Sequence, residues 1–194
     1  SDDDSYQWRE SEIYAVDVAD GAIQQLTKRR GPDGNPAVSP DGKRVAYTGY
    51  DWTTDTWVDS KIYVMNIDGS NSRLVSGDWD RTPSELRWSF DGGGLYFTAQ
   101  NEGSQNLYFL PLTAAGKVTP VTKDTQMLTV SDISAKGLAV GTLSTFTQPG
   151  DVVSFDLKTP ASIKRLTAVN EDILVGRKLG EVKELWYTST DGMK

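Results

Sequence analysis

The residues best suited to chemistry lie in two short stretches. The run YDWTTDTWVDS, Tyr50 to Ser60, interleaves Tyr50, Trp52 and Trp57 with Asp51, Asp55 and Asp59. On a loop, such a mixture can line a substrate passage, touch a second domain or form a subunit contact. The competing reading is a long hairpin that packs on its neighbour. The second stretch, GDWDRTP, offers Asp78, Asp80 and Arg81. An arginine there could bind a carboxylate through a forked pair of N–H groups, or bridge two structural units as a salt bridge.

Neither stretch contains a nucleophile with its base. The 194 residues include no histidine and no cysteine. That excludes a Ser-His-Asp triad, a histidine metal site, thiol catalysis, disulfides and cysteine-ligated zinc within this chain. No catalytic residue, metal ligand or cofactor is therefore assigned. Three weaker signals carry little. SFDGGGLY fits a loose sialidase Asp-box in one copy only, and NIDGSN has too few spaced carboxylates for a calcium loop. TKRRGPDG, Thr27 to Gly34, reads as an exposed basic loop.

The net charge is −7, which gives no footprint for a nucleic-acid backbone. No apolar run approaches the length of a spanning helix, and the acidic start SDDDSYQWRE does not read as a signal peptide. Cysteine usage does not fix the compartment; a periplasmic or secreted setting is preferred to a cytoplasmic one.

What must position these residues is a repeat. IYAVDVADGAIQQLT (from Ile13), IYVMNIDGSNSRLVS (from Ile62) and LYFLPLTAAGKVTPVT (from Leu107) say nearly the same thing, and VVSFDLKTPASIKRLT (from Val152) is a weaker copy. The first interval is 49 residues and the next two are 45, the excess falling on the Tyr50–Ser60 insertion. Between them recurs a second hairpin, AVSPDGKRVAYTG, RWSFDGGGLYFTA and DISAKGLAVGTLS. Its Ser-x-Asp-Gly corner suits a type I turn closed by a left-handed glycine, which places Gly42 and Gly92 at positive φ.

Each period thus holds four strands, the content of one β-propeller blade, and no window keeps a helical apolar stripe. The expected fold is all-β: four-stranded antiparallel blades, about four blades' worth of a larger ring. Residues 8–27 should form an outer half blade, 35–76, 85–122 and 128–167 three whole blades, and 172–190 an inner half blade. Residues 191–194 should begin a linker. The open edges of the half blades could pair with one another or recruit a second copy.

The blades NPAVSPDGKRVAYTGYD and KIYVMNIDGSNSRLV resemble those of TolB-like propellers and of the prolyl oligopeptidase family of serine peptidases, especially its dipeptidyl aminopeptidase and acylaminoacyl peptidase branches. GDWDRTPSELRWSFDGGGLYF, QPGDVVSFDL and the terminal EVKELWYTSTDGMK are similar to the peptidase propellers in order as well as type. The resemblance implies a parent enzyme cleaving short peptides, whose Ser, Asp and His lie in an α/β-hydrolase domain after Lys194. It makes that domain and short peptides the partners, and the propeller a gate that excludes folded proteins. No family motif assigns a role to Glu171, Asp172, Glu181 or Glu184. The alternative is a TolB-like module that binds a protein or peptide without an attached enzyme.

Overall fold

The computed structural model describes residues 9–113 and 116–192. Strands dominate it. A two-stranded unit of β1 (Tyr14–Val16) and β2 (Ile23–Gln25) precedes three four-stranded antiparallel blades. The first blade is β3 (Asp33–Val38), β4 (Arg44–Gly49), β5 (Lys61–Asn66) and β6 (Arg73–Leu74). The middle blade is β7 (Pro83–Trp88), β8 (Gly94–Asn101), β9 (Ser104–Pro111) and β10 (Thr119–Pro120). The last is β11 (Met127–Ile133), β12 (Leu138–Thr145), β13 (Gln148–Asp156) and β14 (Lys164–Arg165). Middle and last blades touch through one parallel pair, Met127 with Gln105.

The corners form by one local mechanism. In the first blade the Ser39 hydroxyl donates to Asp41 Oδ1 at 2.6 Å, Asp41 Oδ1 accepts the Lys43 N–H, and Gly42 donates its N–H to the Ser39 carbonyl. Ser89, Asp91 and Gly92 repeat every one of these bonds in the middle blade. Gly42 and Gly92 both sit at φ 69°, as the corner requires. The Ser89 hydroxyl and the N–H groups around it hold the Asp91 carboxyl below its usual value, and Asp41 is lowered in the same way.

A second device closes each blade at the other end. Past the fourth strand stands a threonine or serine whose hydroxyl accepts a backbone N–H of the third strand or, in the two-stranded unit, of the residue just ahead of β1. The pairs are Ile13 with Thr27, Ile62 with Ser76, Leu107 with Thr122 and Val152 with Thr167, all at 2.9–3.0 Å. Three of these hydroxyls donate onward, to Glu12, Asn106 and Asp151. The recurrent Leu-Thr ending is therefore a side-chain substitute for the next rung of the ladder.

Packing follows the period-2 alternation of the central strands. Val45, Tyr47 and Met65 face Ile13 of the two-stranded unit, with Leu26 and Tyr63 at the margin. Ala46, Ile62 and Val64 point the other way and bury against Leu95, Phe97 and Leu110 of the middle blade. Leu107 faces onward to Leu128, Val130, Val153 and Phe155 of the last blade. Among the described residues, the two end faces have no such cover: Tyr14, Val16 and Ile23 at one end and Leu138 and Val152 at the other are exposed.

One expectation is corrected. Residues 172–190 do not form the inner half of a blade; they hold a short helix α1 (Glu171–Leu174) and chain outside any strand. The reason is visible in what does form. Ser189 and Gly192 make the repeat's corner, with the Gly192 N–H on the Ser189 carbonyl at 2.9 Å and φ 86°. A corner needs only its own four residues, whereas a strand needs a partner for its ladder, and β1 pairs with β2 alone. Asp191 and Gly192, read as the start of a linker, belong to this corner; Met193 and Lys194 lie outside the described residues.

Candidate functional site

In an antiparallel blade, the connections from second to third strand and from fourth strand to the next blade emerge at the same end. That end is the rim on which both chemistry-bearing stretches sit. Residues 50–60 join β4 to β5, and Asp78 to Arg81 join β6 to β7.

The structure gives the 50–60 loop a fixed footing on the neighbouring unit. Arg9 donates to the carbonyls of Thr53, Asp55 and Thr56. Arg30 stacks over Trp52 at 4.1 Å, and the Trp52 N–H donates to the Arg30 carbonyl at 3.0 Å. A Cβ on Gly31 would lie 2.1 Å from the Tyr50 carbonyl oxygen, so the two chains can approach only because residue 31 is glycine. Tyr50 is half-buried, and Trp57 projects with 81% of its surface exposed. At the far end of the loop, Asp59 accepts the Thr82 hydroxyl at 2.9 Å, beside Arg81.

The basic stretch Thr27 to Gly34 is not the exposed loop its composition suggests. Arg29 donates to Asp33, to Asp51 Oδ1 at 2.8 Å and to the Tyr63 hydroxyl at 3.0 Å, and lies over the Tyr63 ring at 4.3 Å. The Asp33 side chain is fully buried, and its Oδ2 finds no hydrogen bond. Burial pushes the Asp33 carboxyl up, only partly countered by Arg29. One arginine thus joins the loop root to a buried carboxylate on β3.

Arg81 is bound neither across blades nor alone. Its Nε donates to Asn101 Oδ1 at 2.8 Å, its Nη1 pairs with Asp80, and its guanidinium sits 5.5 Å from the Trp79 ring. With Trp79 and Tyr108 it lines a cleft of about 760 Å³ that also takes in the Ser104 turn, the 122–125 connection and Phe146. Trp79 packs edge-on to Tyr108 and Phe97, at 5.0 and 5.8 Å. Burial raises the Tyr108 phenol, Arg81 opposes that and Glu102 adds to it, so both charges act on the same ring.

Of the four residues singled out from sequence, Tyr50 and Trp52 are near the root of the loop, Trp57 stands apart and Arg81 belongs to the cleft. Sequence reasoning missed Asn106 and Lys123. Asn106 Oδ1 accepts the Thr122 hydroxyl, the Asp124 N–H and the Gln126 amide, while its Nδ2 donates to the Asp124 carbonyl. It therefore fixes the connection that carries Lys123. The available signal was its position, one residue ahead of the repeat's Leu107 and opposite the Leu-Thr type ending, where Glu12 and Asp151 stand in other copies. Among the described residues, no cluster of three acidic groups could hold a metal ion.

The likeness to known proteins agrees with this architecture. The chain is 23% identical over 187 residues to dipeptidyl-peptidase 5 of Schizosaccharomyces pombe, covering 93% of this chain and 26% of that protein. It is 32% identical over 108 residues to a probable dipeptidyl-peptidase 5 of Arthroderma benhamiae, half of this chain and 15% of the relative. The chain thus spans about a quarter or less of these relatives. Among solved structures, TolB from Acinetobacter baumannii superposes with a TM-score of 0.65 at 24% identity, over 80% of this chain and 37% of that one. The β-propeller domain of the Trilobed protease from Pyrococcus furiosus gives 0.61 at 23%, over 87% and 46%. These solved neighbours establish the β-propeller fold, and they include both TolB and a peptidase propeller. The profile of the TolB β-propeller domain, PD40, matches residues 4–173, and the chain belongs to that family.

Proposed function

We propose that this chain is the non-catalytic propeller portion of a serine peptidase that cleaves short peptides, in which the blades restrict entry to a separate Ser-Asp-His domain. The observation that carries this reading is likeness to a dipeptidyl-peptidase along 93% of the chain, through all the blades rather than one hairpin motif. The lack of histidine supports the division of labour, because no described residue could serve as the general base of a triad.

The test compares this chain with the protein extended beyond Lys194. The chain alone should hydrolyse no dipeptidyl or aminoacyl chromogenic substrate. The extended protein should label with a serine-directed fluorophosphonate and cleave those substrates, while leaving folded proteins intact. An extended protein that does not label ends the peptidase reading. What then remains is a TolB-like binding module, favoured by the superposition on TolB itself. In either case the exposed end faces at Tyr14, Val16 and Ile23 and at Leu138 and Val152 should make the isolated chain self-associate, which sedimentation at rising concentration would reveal.

A further inference from the structure

We propose that the cleft at the rim end of the middle blade binds the carboxylate of a short peptide, with Arg81 as its anchor and Trp79 and Tyr108 as an apolar wall. This deepens the reading above by naming a ligand group, and rests on it only for the choice of peptides as ligands.

The cleft, at about 760 Å³, has the size of a small-ligand site. The anchor is held in place from inside the protein: Nε is fixed by Asn101, and the guanidinium lies against Trp79. Only the outer edge of the fork remains to bind. Its Nη1 is taken by Asp80, whose side chain is 73% exposed, and its Nη2 hydrogen-bonds no described residue. An exposed pair of this kind is weak. A ligand carboxylate can therefore replace Asp80 and engage both N–H groups, the bidentate geometry to which a guanidinium is matched.

Lys123, on the connection fixed by Asn106, lines the same cleft and has no ion pair among the described residues. The exposed carboxylates of Glu102, Asp124 and Glu184 also line it and repel an anion, and Lys183 beside Glu184 pairs with Glu181. These carboxylates favour a ligand that carries a positive group as well as its carboxylate, as a free peptide does.

The carboxylate could be a chain terminus or an acidic side chain, and the probes separate the two. Binding of Ala-Phe, its C-terminal amide and Glu-Phe-amide, all with a free amino terminus, is measured on this chain by calorimetry and tryptophan fluorescence. The free acid should bind at least about tenfold more tightly than its amide, the loss expected for one charge-assisted contact. Binding of the glutamyl amide instead assigns the site to an acidic side chain. Arg81→Ala should abolish the preference for the acid and Arg81→Lys should restore part of it, with circular dichroism reporting the fold. If Arg81→Ala unfolds, Lys123→Ala should still weaken the acid more than the amide. Equal binding of acid and amide, or saturable binding of none of the probes at millimolar concentration, overturns the proposal. Neither result touches the peptidase reading, which stands or falls on labelling of the extended protein.

Discussion

Thr122→Val isolates the hydroxyl that closes the middle blade, at nearly constant volume. Thr122 is buried, and its Oγ1 accepts the Leu107 N–H at 3.0 Å while donating to Asn106 Oδ1 at 2.9 Å. Valine leaves the Leu107 N–H buried without an acceptor. Asn106 Oδ1 keeps its bonds from Asp124 and Gln126, so only one group is orphaned. An orphaned buried donor costs about 1–3 kcal/mol. The added methyl recovers less than ~1 kcal/mol, because burying one carbon contributes about 0.8 kcal/mol. A net loss of about 1–2 kcal/mol should lower the melting temperature by roughly 2–8 °C for a chain of this length. Thr122→Ser keeps the hydroxyl and gives up only a methyl; serine does the same work at position 76. Its loss should stay below about 1 kcal/mol. Urea midpoints followed by tryptophan fluorescence compare the three proteins. A valine variant as stable as the serine variant would refute the idea that the hydroxyl replaces a ladder rung.

Arg29→Ala should cost several times more than Asp51→Ala, since it strands the buried Asp33 carboxylate. Asp51 is 83% exposed, so its deletion should cost less than ~1 kcal/mol; similar urea midpoints for the two variants would contradict this. Gly42→Val should lose about 1–2 kcal/mol from backbone strain alone, because φ is 69° and the space for a side chain is open. Gly31→Ala should lose more, since its Cβ meets the Tyr50 carbonyl, and should raise protease sensitivity in residues 50–60; a wild-type melt for either refutes its assignment. Acid stability should depend on Asp151. Burial works against its charge, but Thr167, the Val169 N–H and Arg165 prevail and hold the carboxyl below its ordinary value. Its contribution is therefore present above the unfolded value near pH ~3.9 and is lost as pH falls through the folded one. Urea midpoints of Asp151→Asn should fall less steeply below about pH 4 than those of the wild type, and parallel profiles would count against that network.

What could be read from the sequence was whatever is fixed within a few residues and then repeated. The corners at Ser39 to Gly42 and Ser89 to Gly92 are written in four letters each, and their internal hydrogen bonds match almost atom for atom. Even Ser189 to Gly192 forms its corner where the flanking strands do not. The blades followed because each corner must join two strands whose apolar faces alternate. What was not legible depends on contacts between positions far apart in the chain. Arg29 looked like one of three solvated bases, yet besides Asp33 it is held by Asp51 and Tyr63, 22 and 34 positions away. Asn106, within β9, is the hub of residues 122–126 through partners 16, 18 and 20 positions away. Residues 172–190 show the same limit from the other side. They were expected as the inner half of a blade, but β-prone residues alone do not make a strand, and the ladder needs a neighbouring edge. The rim is where these two kinds of information meet. Local turns set where its connections leave the blades, and long-range pairs between Arg29 and Asp51, Asp59 and Thr82, and Arg81 and Asn101 decide which side chains remain free to bind.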